Sequence, residues 1–253
     1  MPKITNYLLI GDGRLANHLR HYFDLLGLSF DTWSRSVNTE NDLDAKALKA
    51  HRILLLISDD SIESFANIHL KSHLHQQSIN KMIIHCSGTL TCKNIIGAHP
   101  LQSFVMGHRD ALDEYEQVCF FYESNKHFDF ADILPDLTNP SYAIDTDKKS
   151  YYHALCVGAN NFTTILWQSF AKRMLEEFDV PFEKLQYYLN TTTKNIEKDI
   201  DTALTGPFIR NDKCTIENNL SSLVNDDFKL IYKAFLDFYN QEKKSNLKIK
   251  GEL

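Results

Sequence analysis

Tyr7-Leu8-Leu9-Ile10-Gly11-Asp12-Gly13-Arg14-Leu15-Ala16 is the stretch that decides the fold of this chain. Four apolar residues that stop at a glycine read as a buried strand, because a strand covered on both faces has no polar alternation to keep. Beyond Gly13, the residues Leu15, Leu19, Tyr22, Phe23 and Leu26 recur at the spacing of one helix face, and Gly27 supplies the stop. Between strand and helix stands G-x-G-x-x-[G/A]. Gly11 makes the tight turn, Gly13 lets backbone approach a pyrophosphate, and Ala16 is small enough for the helix to pack on the strand. An anion at this turn meets free backbone N–H groups, those of Arg14 and Leu15 among them, and the positive end of the helix dipole. Gly11, Gly13, Arg14, Leu15 and Ala16 are therefore candidate dinucleotide contacts, with a plain glycine turn as the alternative. Asp12 is an awkward charge beside a phosphate and is tolerable if its side chain points away.

Outward from this turn the alternation of strand and helix continues. Leu28 to Trp33 reads as a second strand that ends at Ser34-Arg35-Ser36. An Asp or Glu that binds a ribose hydroxyl belongs about 20 residues after the glycine turn. A guanidinium and two hydroxyls stand there instead, and they suit a 2′-phosphate, which an acid would repel. The expected cofactor is NADP(H), with Ser34, Arg35 and Ser36 as contacts. A solvated loop with an incidental arginine is the alternative. Arg52 to Ile57 is a near-continuous apolar strand ending at Ser58-Asp59-Asp60; Ser58 and Asp59 join the candidate cofactor contacts, and Asp60 or Ser61 is expected to cap a helix reaching about His75. Lys81 to Cys86 and Gln117 to Tyr122 read as further strands, and Gly97-Ala98-His99-Pro100 as a loop or turn.

From about Lys148 the pattern changes. Tyr152, Leu155, Cys156, Ala159, Thr163, Leu166, Phe170 and Met174 keep a helical period that predicts one long helix, ended by Pro181. Gly206-Pro207 breaks the remainder, Phe228 to Tyr239 is again helical, and a basic tail follows. The fold class read from this order is α/β, a Rossmann-type doubly wound parallel sheet over residues 1–147 followed by a smaller all-α domain over 148–253, expected to serve substrate binding and dimerisation.

The composition agrees with a globular chain: 253 residues, 43% hydrophobic and 24% charged, close to ordinary soluble proteins and unlike disordered or coiled-coil sequences. A net charge of −6 disfavours nucleic acid and anionic lipid as partners. Five scattered cysteines form no C-x-x-C, so neither a disulfide framework nor a zinc knuckle is expected and reduced cytoplasmic thiols fit best. No apolar run approaches a signal-peptide core or a membrane span.

Two further segments fall at predicted carboxyl ends of strands, where open α/β sheets bind ligands: His85-Cys86-Ser87-Gly88 and Gly97-Ala98-His99-Pro100. Ser87, with Gly88 beside it, can donate to a substrate oxygen and His99 can supply a proton; a turn serine and a loop histidine are the plain readings. His69, His73 and His75 lie on a predicted surface helix without an acidic partner of fitting spacing, so no metal is expected. Phe228, Ile231, Tyr232, Phe235 and Phe238 form a stripe suited to a core or a dimer interface.

Taken in order, GDGRLA, SRS, ISDDSI (Ile57 to Ile62), HCSG, AHPLQSF (Ala98 to Phe104), YYHALCVGANNF (Tyr151 to Phe162) and LTGPFIRND (Leu204 to Asp212) resemble the Rossmann-like proteins with a DUF2520 C-terminal domain. These are similar in build to the 6-phosphogluconate, β-hydroxyacid and ketopantoate reductase superfamily. The resemblance implies NADPH-linked reduction, and one branch resembles an alternative ketopantoate reductase of pantothenate biosynthesis. In the β-hydroxyacid relatives, K-x-x-N-N supplies a lysine acid/base and a substrate-orienting asparagine. Here Val157-Gly158-Ala159-Asn160-Asn161 keeps both asparagines and has valine where the lysine belongs.

A ketone reduced by hydride must gain a proton, and a positioned general acid contributes about 10²–10⁴-fold, so another donor is needed. His153 lies eight residues before Asn161, which in an α-helix puts both on one face. It rivals His99 as donor, and Lys194 is a weaker third. Thr205 and Arg210, around the Gly206-Pro207 turn, can reach a substrate carboxylate, or else mark a rigid connection between helices. The reading is thus an NADPH-dependent reductase of a small 2-oxo acid, ketopantoate being the best single substrate, acting as a homodimer. A regulatory NADP-binding protein without catalysis, or a pyrroline carboxylate-type imine reductase, are its rivals.

Overall fold

The computed structural model describes residues 5–74, 80–124 and 127–251. The chain divides into two compact units, Met1–Asn160 and Asn161–Leu253. The division falls inside a helical run, past the join at 147/148 that the change of sequence pattern suggested.

The first unit opens with β1 (Tyr7–Ile10), α1 (Arg14–Leu25) and β2 (Phe30–Trp33). All four β1 residues are buried, and they divide by alternation: Tyr7 and Leu9 join one core layer, Leu8 and Ile10 the other. That is why the strand reads as continuously apolar. Helix α1 buries Ala16, Leu19, Tyr22 and Phe23, and Gly27 follows it at φ +65°, a left-handed turn that suits glycine. Helix α2 (Glu40–Lys49) was not anticipated from the sequence; a Thr39 and Asp42 capping box starts it, and Leu43 and Ala47 bury its one apolar face.

Next come β3 (Arg52–Leu55), α3 (Asp59–His69), α4 (Lys71–Leu74), β4 (Met82–His85), β5 (Ile96–Pro100), α5 (Leu112–Glu116), β6 (Phe120–Glu123), α6 (Phe130–Ile133) and β7 (Ser141–Ile144). Ser58, not Asp60 or Ser61, occupies the cap position of α3. That helix stops at His69, and His75 lies outside the described residues. The seven strands form one sheet in the order β2-β1-β3-β4-β5-β6-β7. From β2 to β5 neighbours are parallel; β6 runs antiparallel to β5, and β7 parallel to β6.

The loop expected at Gly97-Ala98-His99-Pro100 is instead strand β5. Its glycine is not a turn signal but a gap: a Cβ at Gly97 would lie 2.5 Å from Lys149 Nζ and 2.8 Å from Glu123 Oε1. Pro100, with no N–H to donate, stands at the strand's last position.

The long helix is also corrected. It comprises α7 (Lys149–Val157), a π-helical turn at Gly158–Phe162 and α8 (Thr163–Phe178), and the boundary between the two units falls in the π turn. Asp179, left-handed at φ +55°, closes α8, and Pro181 caps the next helix.

The second unit continues with α9 (Phe182–Lys198), α10 (Pro207–Arg210), α11 (Lys213–Ser222) and α12 (Phe228–Gly251). Arg173 on α8 grips both Asp226 carboxylate oxygens and lies over the Phe228 ring, which ties α8 to the start of α12. That contact holds the Asp226 carboxyl down to about 2. Among the described residues no helix is long and apolar enough to cross a membrane.

Candidate functional site

The carboxyl ends of the parallel strands carry most of the predicted site. Gly11 leaves β1 at φ +132°, and any side chain there would run into the Leu56 carbonyl, 2.2 Å from an added Cβ. Only glycine fits. This turn lies between β1 and β3, where the chain's crossovers leave in opposite directions, the place at which open α/β sheets take ligands. Gly13 is different: it caps α1 at φ −79°, and a Cβ there would meet nothing within 4 Å. Space in front of a helix N-terminus is what a pyrophosphate needs. Arg14 is exposed at the first position of α1, Leu15 is half-buried, and Ala16 is buried among Leu9 and Leu54.

Asp12, the awkward charge, is accounted for. Arg20 donates from Nη1 to the Asp12 carboxylate at 2.8 Å and from Nη2 to the Gly11 carbonyl, while the Asn17 amide caps the carbonyls of Asp12 and Gly13. The carboxylate is thereby drawn to a cation of its own helix. The sequence reading missed Arg20, though its place two turns into α1 is the reach an arginine needs.

At the end of β2, Ser34 to Val37 form a turn closed by N–H donation from Val37 and Asn38 to the Ser34 carbonyl. The Ser34 and Ser36 hydroxyls lie 3.0 Å apart. Arg35 is exposed and makes no ion pair or hydrogen bond among the described residues. Past β3, Ser58 shares a hydrogen bond with Ser61, 2.9 Å away.

Ser87 is where the expectation needs correcting. Its hydroxyl donates to Asp59 at 2.5 Å and accepts from the N–H groups of Thr89 and Leu90. A hydroxyl has one proton, and this one is committed to Asp59. Ser87 therefore organises the turn after β4 and does not offer a donor outward; Asp59 holds it there from the first turn of α3.

Gly88, His99 and His153 are brought together. A Cβ at Gly88 would lie 2.3 Å from His153 Cδ2 and 3.1 Å from His99 Cδ2, and the two imidazole centroids are 5.8 Å apart, nearly perpendicular. The His99 Nδ1 sits 2.9 Å from the Tyr152 hydroxyl. Burial, helped by His153 and Lys149 nearby, pulls His99 from 6.5 down to about 4, so the ring is neutral at pH 7. Burial together with the Cys156 thiol pushes the Tyr152 hydroxyl well above its ordinary range.

Beneath this pair lies a charged cluster that sequence reading did not find. Lys149, buried at the start of α7, donates to the Leu90 carbonyl and to Glu123 Oε1 at 2.8 Å. His85 Nδ1 accepts from the Ser87 N–H, so its proton resides on Nε2, which faces Glu123 Oε1 at 4.0 Å. Glu123 Oε2 has no hydrogen-bond partner among the described residues. The available signal was the spacing Lys149, Tyr152, His153, one helix face.

The other candidates are not gathered here. Asn160 and Asn161 are exposed in the π turn, on either side of the division between units. Thr205, Arg210 and Lys194 are exposed residues of the second unit. Since a π turn separates them, the α-helical count that put His153 and Asn161 on one face does not apply. His69 lies 3.8 Å from Glu40 and His73 is buried. Among the described residues no three metal-binding side chains cluster.

Residues 119–237 match the family model described as a domain of unknown function, DUF2520. Solved structures similar to this chain include that of a candidate NADP oxidoreductase from Bacteroides fragilis, at 21% identity and TM-score 0.70, covering 94% of this chain and 98% of that one. A Thermotoga maritima protein matches at 22% identity and TM-score 0.67, covering 95% and 99%. Plasmodium falciparum pyrroline carboxylate reductase, solved with NADP bound, matches at 14% identity and TM-score 0.60, covering 95% and 98%. No curated protein matches. The chain thus resembles DUF2520 proteins over residues 119–237 and has the Rossmann-like fold that the motifs implied.

Proposed function

We propose that this chain is an NADP(H)-dependent oxidoreductase acting on a small carbonyl acid, with ketopantoate as the first substrate to try. The observation that carries the reading is the glycine turn: open space before Gly13, glycine required at Gly11, and the one acidic side chain drawn off by Arg20. These residues fit a dinucleotide pyrophosphate. Arg35, exposed at the end of β2 and unpaired among the described residues, with Ser34 and Ser36, suits the extra phosphate of NADP(H). The similar structures described as an NADP oxidoreductase and as a reductase with NADP bound support the same cofactor. Bound NADPH would supply hydride. Within the first unit, His99 and His153 crowd Gly88 past the end of β4 and are the groups proposed to meet a substrate oxygen or nitrogen.

One observation favours a second reading, reduction of a C=N bond. A histidine held near 4 carries little proton at neutral pH, and an iminium substrate arrives already protonated. The second unit supports action as a homodimer: Tyr187, Tyr188, Phe235 and Phe238 are exposed, and Leu185 is its one buried hydrophobic residue among those described.

The test has two parts. Dissociation constants for NADPH and NADH should favour NADPH, and Arg35→Asp should weaken NADPH binding tenfold or more, since a lost charge-assisted contact and a new repulsion cost roughly 1.5–3 kcal/mol. NADPH oxidation with a panel of 2-oxo acids and cyclic imines then assigns the substrate class, and rescue of a pantothenate auxotroph tests ketopantoate. Preference for NADH would sink the cofactor assignment. NADPH binding with no turnover on any member would favour a regulatory protein, the outcome to which Val157 points.

A further inference from the structure

Lys149, Tyr152, His153 and Cys156 follow one another at i, i+3, i+4 and i+7 along α7, so they form a single stripe facing the sheet. Two residues of β6 receive it. Phe121 and Glu123, two apart and hence on one face of the strand, take the Tyr152 ring at a centroid distance of 4.4 Å and the Lys149 ammonium at 2.8 Å. The Leu90 carbonyl gives that ammonium a second acceptor.

We propose that Lys149 and Tyr152 are positioning residues for His99, which together fix the ring proton on Nε2 and turn that edge of the imidazole toward the carboxyl end of β4. The Tyr152 hydroxyl occupies the Nδ1 edge at 2.9 Å. The opposite edge is turned to Gly88, because Cδ2, bonded to Nε2, is the His99 atom that a Cβ at Gly88 would meet at 3.1 Å. Lys149, one turn before Tyr152, anchors the helix in a socket that exists because position 97 has no side chain. The groups facing His99 are Tyr152, His153 and Lys149 from α7 and Gly88 from the end of β4, with Glu123 on β6 balancing Lys149. Burial first, and then His153 and Lys149, disfavour a proton on this ring. A neutral imidazole has one N–H, and the 2.9 Å contact with the phenol serves either tautomer; the proposal has the phenol donate to Nδ1, which leaves the ring N–H on Nε2. The ring then acts on a substrate oxygen as a hydrogen-bond donor and not as an imidazolium acid. Only this last use rests on the reductase reading.

Nitrogen-15 NMR of the histidine rings tests the assignment without any turnover, His99 being identified by the signal lost in His99→Gln. The expected result is a neutral ring with its proton on Nε2 from pH 5.5 to 8. Tyr152→Phe should release Nδ1 and give a mixture of tautomers, and in the active enzyme should lower kcat more than it changes NADPH affinity. Because Lys149→Met alone strands a buried carboxylate, the double variant Lys149→Met/Glu123→Leu is the companion: with the helix anchor gone, the Tyr152 contact to Nδ1 should loosen and the His99 tautomers should mix as in Tyr152→Phe. A proton on Nδ1 in the parent, an unchanged ring spectrum in Tyr152→Phe, or a parental ring spectrum in the double variant would each overturn the proposal. A protein with the expected tautomer and no turnover would retain this inference and lose the reductase reading.

Discussion

The first carbon of any side chain at Gly88 would lie 2.3 Å from Cδ2 of His153, so the glycine at the end of β4 and the histidine on α7 constrain one another. Gly88→Ala should therefore displace the ring. Overpacking of this kind costs roughly 1–3 kcal/mol, so the variant should melt several degrees lower. Gly88→Ala/His153→Ala should recover most of that loss, and a double-mutant cycle on chemical denaturation measures the coupling. Additive effects would show that the helix, and not the ring, resists the methyl.

Gly13→Val should abolish binding of either nicotinamide cofactor and leave the fold intact. The backbone there is in an ordinary region and a Cβ meets nothing, so folding has no objection to the side chain, while an approaching pyrophosphate has. Calorimetric titration of a variant with parental circular dichroism is the check. Parental affinity would reduce the turn to a structural one.

Arg20→Ala should weaken NADPH binding about tenfold, because it leaves the Asp12 carboxylate uncompensated beside the phosphate position. Adding Asp12→Asn should restore most of the affinity. The loss should shrink as salt rises, since an exposed carboxylate is screened. If Arg20→Ala binds as the parent does, Asp12 was already harmless by direction alone.

The depressed His99 pKa carries a stability consequence with a definite sign. The unfolded chain takes up this proton below about 6.5, and the folded protein resists until about 4. Stability tied to His99 is complete above pH 6.5 and is lost as the pH falls through that window, by about 3 kcal/mol. His99→Gln should show a shallower fall of denaturation free energy from pH 6.5 to 4 than the parent. An activity limb near pH 6.5 would have to come from another group.

Much of the first unit could be read from the chain because its signals are local. The run Tyr7 to Ile10 is apolar on both faces, and the Gly11 and Gly13 turn is a backbone requirement written in residue type. Residues 96–100 misled for the same reason. Gly97 and Pro100 are turn residues by habit, yet the glycine makes room for Lys149, whose chain position is more than fifty residues away. Strand β7, whose residues are exposed or half-buried, has no apolar run to reveal it. The site showed the same split. The cofactor turn was visible, whereas the partners of Ser87, His99 and Asp12 are contacts made by folding, and only the helical spacing of Lys149 with Tyr152 and His153 hinted at one of them.

The π turn at Gly158–Phe162 has a geometric consequence of its own. Such a turn is the trace of one residue more than an α-helix would hold, so a 3.6-residue count begun before Gly158 cannot be carried past Phe162. A run that looks uniform in hydrophobic period is two helices, each with a count of its own, and the Asn160-Asn161 pair belongs to neither count.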